Sequence, residues 1–152
     1  MAKRLVPIIL KLGGSVVTVK ETPFRPNIRV IRRLVREISE SNSMPLVVVH
    51  GGGSYGHPVA KEYKIRDGYT SRSQLIGFSK TRQAMMELNK LMVDVFVENN
   101  LPVISVQPSA FILTENSRLV EFDSTINHLR EELMKKIYEV YEDFCFRLKL
   151  LS

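Results

Sequence analysis

The sequence is poor in cysteine: Cys145 stands alone, so no disulfide can close within the chain. It shows no charged-then-apolar leader, and no run of about 18 apolar residues that could span a bilayer. A reducing, cytoplasmic setting without membrane association is the expectation. No His, Cys or carboxylate cluster has ligand spacing, so no protein-held metal is expected. No internal repeat or low-complexity tract appears, and 152 residues is the length of one domain with a real core. The 44% hydrophobic and 25% charged residues are ordinary for a folded protein. The excess is positive charge, formally +6 with a pI near 9.6, which permits nucleic acid, anionic membranes or phosphorylated small molecules as partners.

Five arginines, Arg25, Arg29, Arg32, Arg33 and Arg36, crowd one segment. The same segment carries Ile28, Ile31, Leu34, Val35 and Ile38 at helical spacing, which places the arginines on the solvated side of an amphipathic helix. No aromatic interleaving accompanies them, so no nucleic-acid partner is expected.

Two short apolar runs read as buried strands: "VPIILKL" at 6–12 and "PLVVVH" at 45–50. A third, "LPVISVQ" at 101–107, reads the same way. Between them lie a loop ending at "TPFRPN", a helix with Asn27 as candidate N-cap that ends near "SESNSMP", a short helix through "PVAKEYK", and a longer one over 73–98. "FILTENSRLVEF" at 111–122 reads as a hairpin. From 125 to 150, Leu129, Leu133, Ile137, Val140, Phe144 and Leu148 recur every three or four residues, the pattern of one long helix. Strands apolar along their whole length and separated by helices describe an α/β fold with a mainly parallel, covered sheet. Ligands of such sheets bind at the carboxyl ends of the strands.

Both glycine runs lie there: "KLGGS" at 11–15 and "HGGGS" at 50–54. Glycine lets backbone N–H groups approach an anion, and a helix starting beyond adds a positive dipole end. Neither run is a P-loop or a G-x-G-x-x-G fingerprint. Lys11 ends an apolar strand, where a charge needs solvent or an anion, and it can stabilise a moving phosphoryl group. His57 lies at the mouth of the second loop and can donate to a phosphate oxygen. His50 reads as a structural residue that satisfies neighbouring backbone. A competing motif is present: "GGSYG" matches the G-x-S-x-G nucleophile elbow, with Ser54 as nucleophile, Asp94 or Asp123, and His128. Against it, "HGGG", which resembles an esterase oxyanion loop, overlaps the elbow although the two belong to different loops of that fold, and "KLGGS" is left without a purpose.

"ILKLGGSVVTVK", "VVVHGGGSYGHPVAKEY", "LN" at 88–89 and "LPVISVQPSAF" together resemble the amino-terminal half of the isopentenyl phosphate kinases, a branch of the amino acid kinase superfamily. The resemblance runs from about residue 7 to about residue 124. It implies a three-layer α/β/α sandwich, with 1–124 as an acceptor-binding half and 125–152 as an amphipathic helical tail outside the match. It also implies transfer of the γ-phosphate of ATP, with Mg2+, to isopentenyl phosphate, giving isopentenyl diphosphate in a mevalonate route typical of archaea. Carried onto this chain, Lys11, Gly13, Gly14 and Ser15 would hold nucleotide phosphates, and Lys20 would help neutralise the transition state. Gly51, Gly52, Gly53 and Ser54 would receive the acceptor phosphate with His57 bonded to it, while Phe78, Met85 and Met86 would line a pocket for the five-carbon tail. Lys11, Lys20 and His57 are thus the expected catalytic set. The family's nucleotide-binding second half has no counterpart here, so the expectation includes a complementary chain or a homodimer partner. The alternative is a noncatalytic phosphate-ligand or partner-binding module derived from the kinase.

Overall fold

Two five-residue strands, β1 (Ile8–Leu12) and β2 (Leu46–His50), pair in parallel with Leu10 opposite Val48 and Leu12 opposite His50. The computed structural model describes residues 8–41, 46–67, 69–110, 112–115 and 118–122. A short helical turn, α1 (Gly14–Val17), follows β1 directly, and α2 (Ile28–Ser41) leads toward β2. After β2 come α3 (Gly53–Glu62), the 27-residue α4 (Arg72–Glu98), and an antiparallel hairpin of β3 (Ile112–Glu115) and β4 (Arg118–Phe122). The α/β class, the parallel sheet, the Arg-rich helix, the long helix and the hairpin all match the sequence reading. The expected helix over 125–150 lies outside the described residues.

The core explains the helix patterns. Ile31 and Val35 of α2 and Leu88, Met92, Val95 and Phe96 of α4 are buried together with Leu12, Val17 and Tyr55. The five arginines from 25 to 36 are exposed, as an amphipathic helix requires. α2 begins immediately after Asn27, whose carbonyl accepts the Ile31 N–H at 3.0 Å. α4 begins with a capping box: the Ser71 side chain faces the N3 backbone, and the Gln74 side chain returns to the Ser71 N–H at 3.2 Å.

Residues 101–107 depart from expectation. They form no strand, and Ile104 is 88% exposed, with Val103 and Val106 also exposed. A strand exists only through its ladder, and among the described residues β1 and β2 pair with one another alone. An apolar run signals suitability for a sheet; long-range pairing decides whether it enters one.

Candidate phosphate-binding site

The two glycine loops touch. A Cβ on Gly14 would lie 2.7 Å from the Gly53 Cα and 3.4 Å from the Gly51 carbonyl carbon, so only glycine permits this approach. Gly53 has φ +45°, and a Cβ there would strike the Thr18 hydroxyl and lie 2.5 Å from the Gly14 oxygen. The carboxyl ends of β1 and β2 therefore feed two helix starts packed back to back. Gly13 precedes α1 and Gly52 precedes α3, so two helix starts meet at this contact.

Thr18 joins them. Its Oγ1 donates to the Gly14 carbonyl at 2.7 Å and accepts from the Ser54 N–H at 2.9 Å. N-cap preference explains the arrangement: Gly52 has no side chain to cap α3, and Thr18 supplies the missing oxygen from 36 positions away.

The loop from 18 to 26, which carries Lys20, is fastened to the same helix. Pro58 has no N–H for the Ser54 carbonyl, which accepts instead from the Phe24 N–H at 3.1 Å. The Ser54 hydroxyl donates to the Arg25 carbonyl at 3.3 Å, and the Phe24 ring meets Tyr55 edge-on at 5.7 Å. A bridge between Thr18 and Pro26 closes the loop. Lys20 thus sits, exposed, in a loop anchored where α3 begins.

Of the other expected residues, Lys11 is exposed on β1, two positions before Gly13, and Ser15 is exposed on α1. His57 is exposed but lies within α3, so the second loop ends earlier than the sequence indicated: the helix starts at Gly53. Met85 and Met86 line a cavity of about 430 Å³ with His50, Asn89, Ser105 and Val106. Phe78, half-buried on α4, is not among its lining residues. The acyl-transfer reading fails here, because Ser54 is 4% exposed with its hydroxyl committed to Arg25, and Asp94 pairs with Lys90 at 2.6 Å. Asp123 and His128 lie outside the described residues.

His50 has the structural role expected of it. Its Nδ1 bonds the Gly51 carbonyl at 3.3 Å and its Nε2 faces Asn89 Nδ2 at 3.0 Å. Burial lowers its pKa from the usual 6.5, partly opposed by the Gly51 carbonyl, which favours the neutral ring.

The Amino acid kinase family model matches residues 7–143, most of the chain. The chain belongs to the amino acid kinase family. Its similarity extends to isopentenyl phosphate kinase from Methanothermobacter thermautotrophicus, 36% identical over 153 aligned positions and 93% of this chain. The enzyme of that name from Methanocaldococcus jannaschii is 31% identical over 86% of the chain. X-ray structures of isopentenyl phosphate kinase superpose with a TM-score of 0.73 at 33% identity, and a product complex of the Thermoplasma acidophilum enzyme with 0.68 at 31%. The chain spans 56% and 54% of the two sequence relatives and 53% of each of those structures, about half an amino acid kinase of this kind.

Sequence reasoning missed Thr18 and Asn89. Thr18 carried a weak signal, since it follows Gly14 by one helical turn and α3 lacks a local cap. Asn89 was singled out only as part of the "LN" resemblance, with no role attached.

Proposed function

We propose that this chain is the acceptor-binding half of an ATP-dependent phosphotransferase and that its acceptor is isopentenyl phosphate. The observation that carries the reading is the contact of Gly14 with Gly53, which brings two helix starts, the kind of element whose free N–H groups bind anions, to one locus. The relatives named as isopentenyl phosphate kinases support the choice of acceptor.

In this reading the N–H groups of Gly52 and Gly53 bind the acceptor phosphate and His57 donates to it, while the Gly51 and Ser54 N–H groups are already bonded to the Leu12 carbonyl and the Thr18 hydroxyl. Lys11 with Gly13, Gly14 and Ser15 holds the phosphates of the donor. An acceptor phosphate oxygen attacks the γ-phosphorus as the bond to the β,γ-bridging oxygen breaks, and the ADP formed takes up the released charge. Lys11 and Lys20 offset charge on the transferring group, which is the main demand of phosphoryl transfer. Mg2+ accompanies ATP in such reactions. Among the described residues no group of three or more His, Cys, Asp or Glu could hold a metal ion, so these residues do not fit a protein-held one. The tail of the acceptor would enter the cavity bordered by Met85 and Met86.

The span of about half of each relative favours a second reading, a phosphate-binding module that does not turn over by itself. Isothermal titration with isopentenyl phosphate and, separately, with Mg·ATP distinguishes them, together with an assay for isopentenyl diphosphate. The expected result is saturable acceptor binding, weakened about tenfold or more in His57→Ala, the cost of one charge-assisted hydrogen bond. Product formation by the chain favours the enzyme; binding without turnover favours the module. Absence of acceptor binding rejects both.

A further inference from the structure

His50 closes β2 one residue ahead of the glycine loop, and its ring is held at both nitrogens. An amide nitrogen has hydrogens to give and cannot accept, so at the 3.0 Å contact Asn89 Nδ2 donates and His50 Nε2 accepts. In a neutral ring the proton is then on Nδ1, which donates to the Gly51 carbonyl 3.3 Å away. The orientation of Asn89 is set from behind: Ser105 Oγ donates to Asn89 Oδ1, which turns Nδ2 toward the ring. Residues from β2, α4 and the 101–107 segment thus select one tautomer.

The consequence falls on the peptide between Gly51 and Gly52. In a trans peptide the carbonyl and the following N–H lie in one plane and point opposite ways. Holding the Gly51 oxygen toward His50 directs the Gly52 N–H away from it. The preceding peptide, His50–Gly51, is tied through its N–H to the Leu12 carbonyl at 2.9 Å, so the Gly51–Gly52 plane turns against a fixed neighbour. Three successive glycines would otherwise leave this plane free to turn. Gly52 caps α3, so its N–H has no acceptor inside that helix.

We infer that His50 is a positioning residue whose Nδ1–H, through the Gly51 carbonyl, aims the Gly52 N–H at the acceptor phosphate, with Asn89 and Ser105 fixing the tautomer this needs. The inference rests on the phosphate-binding reading of the glycine loops. Burial of the ring, which favours its neutral form, agrees with a single ring proton.

Two substitutions separate aiming from packing. In His50→Asn the amide nitrogen lies one bond beyond Cγ, as Nδ1 does, so the donor to Gly51 is kept; in His50→Gln it lies two bonds beyond, as Nε2 does, and that donor is lost. Isothermal titration with isopentenyl phosphate should leave His50→Asn within about twofold of the parent and weaken His50→Gln about fivefold, the worth of one hydrogen bond. The Gly52 amide resonance should move in His50→Gln and stay in His50→Asn, and long-range proton–nitrogen NMR should report the Nδ1–H tautomer in the parent. The opposite order of the variants, which space-filling alone would give, overturns the inference, as does an Nε2–H tautomer. A parent that binds no isopentenyl phosphate overturns the phosphate reading and this role with it. Binding indifferent to His50→Gln overturns the role alone.

Discussion

Thr18 satisfies two backbone groups with one hydroxyl, the Gly14 carbonyl and the Ser54 N–H, and it is almost wholly buried while doing so. Thr18→Val keeps the shape and removes both bonds. Leaving a buried donor and acceptor unpaired costs about 1–3 kcal/mol, so the urea midpoint should fall markedly. Thr18→Ser keeps the hydroxyl and drops a methyl, for about 1 kcal/mol. Because the same hydroxyl ties the two glycine loops, Thr18→Val should weaken acceptor binding while Thr18→Ser should not. At this scale the glycines were legible, since a position where a Cβ would lie within 3 Å of another backbone can be written only with glycine. The hydroxyl that locks them was not, because its partner lies on another element and no local pattern records a contact 36 positions long.

Elements whose stability comes from local periodicity were legible from end to end. α4 was expected over 73–98 and spans Arg72–Glu98, with Leu88, Met92, Val95 and Phe96 buried along one side. Its start depends on Gln74, whose Oε1 accepts from the Thr70 N–H, the Thr70 hydroxyl and the Ser71 N–H, while its Nε2 donates to the Lys64 carbonyl at 3.1 Å. Gln74 is buried, so Gln74→Ala should cost about 2 kcal/mol and speed amide exchange at Thr70 and Ser71, with acceptor binding less affected than stability. α3 was half legible. Its start at Gly53 was hidden because a glycine and a proline within one short helix read as breakers, whereas Thr18 caps the first and Phe24 takes the carbonyl that the second leaves open.

Across the described residues, apolar surface is distributed unevenly. The interface of α2 and α4 is closed, with Ile31, Val35 and Leu88 at 0% exposure, while the 101–107 segment presents Val103, Ile104 and Val106 to solvent. The same run of residue types reads as a core strand, because composition records what a segment can bury and not whether a neighbour arrives to bury it against. Relatives of nearly twice the length have more chain with which to meet such a segment, and this chain matches about half of them. The difference can be measured. Ile104→Lys should change the stability of this chain by no more than about 0.5 kcal/mol, as an exposed substitution does, whereas Leu88→Ala should cost about 2–5 kcal/mol. A large loss from Ile104→Lys in urea denaturation would mean that residues 101–107 are sheet after all, with Ile104 on a buried face.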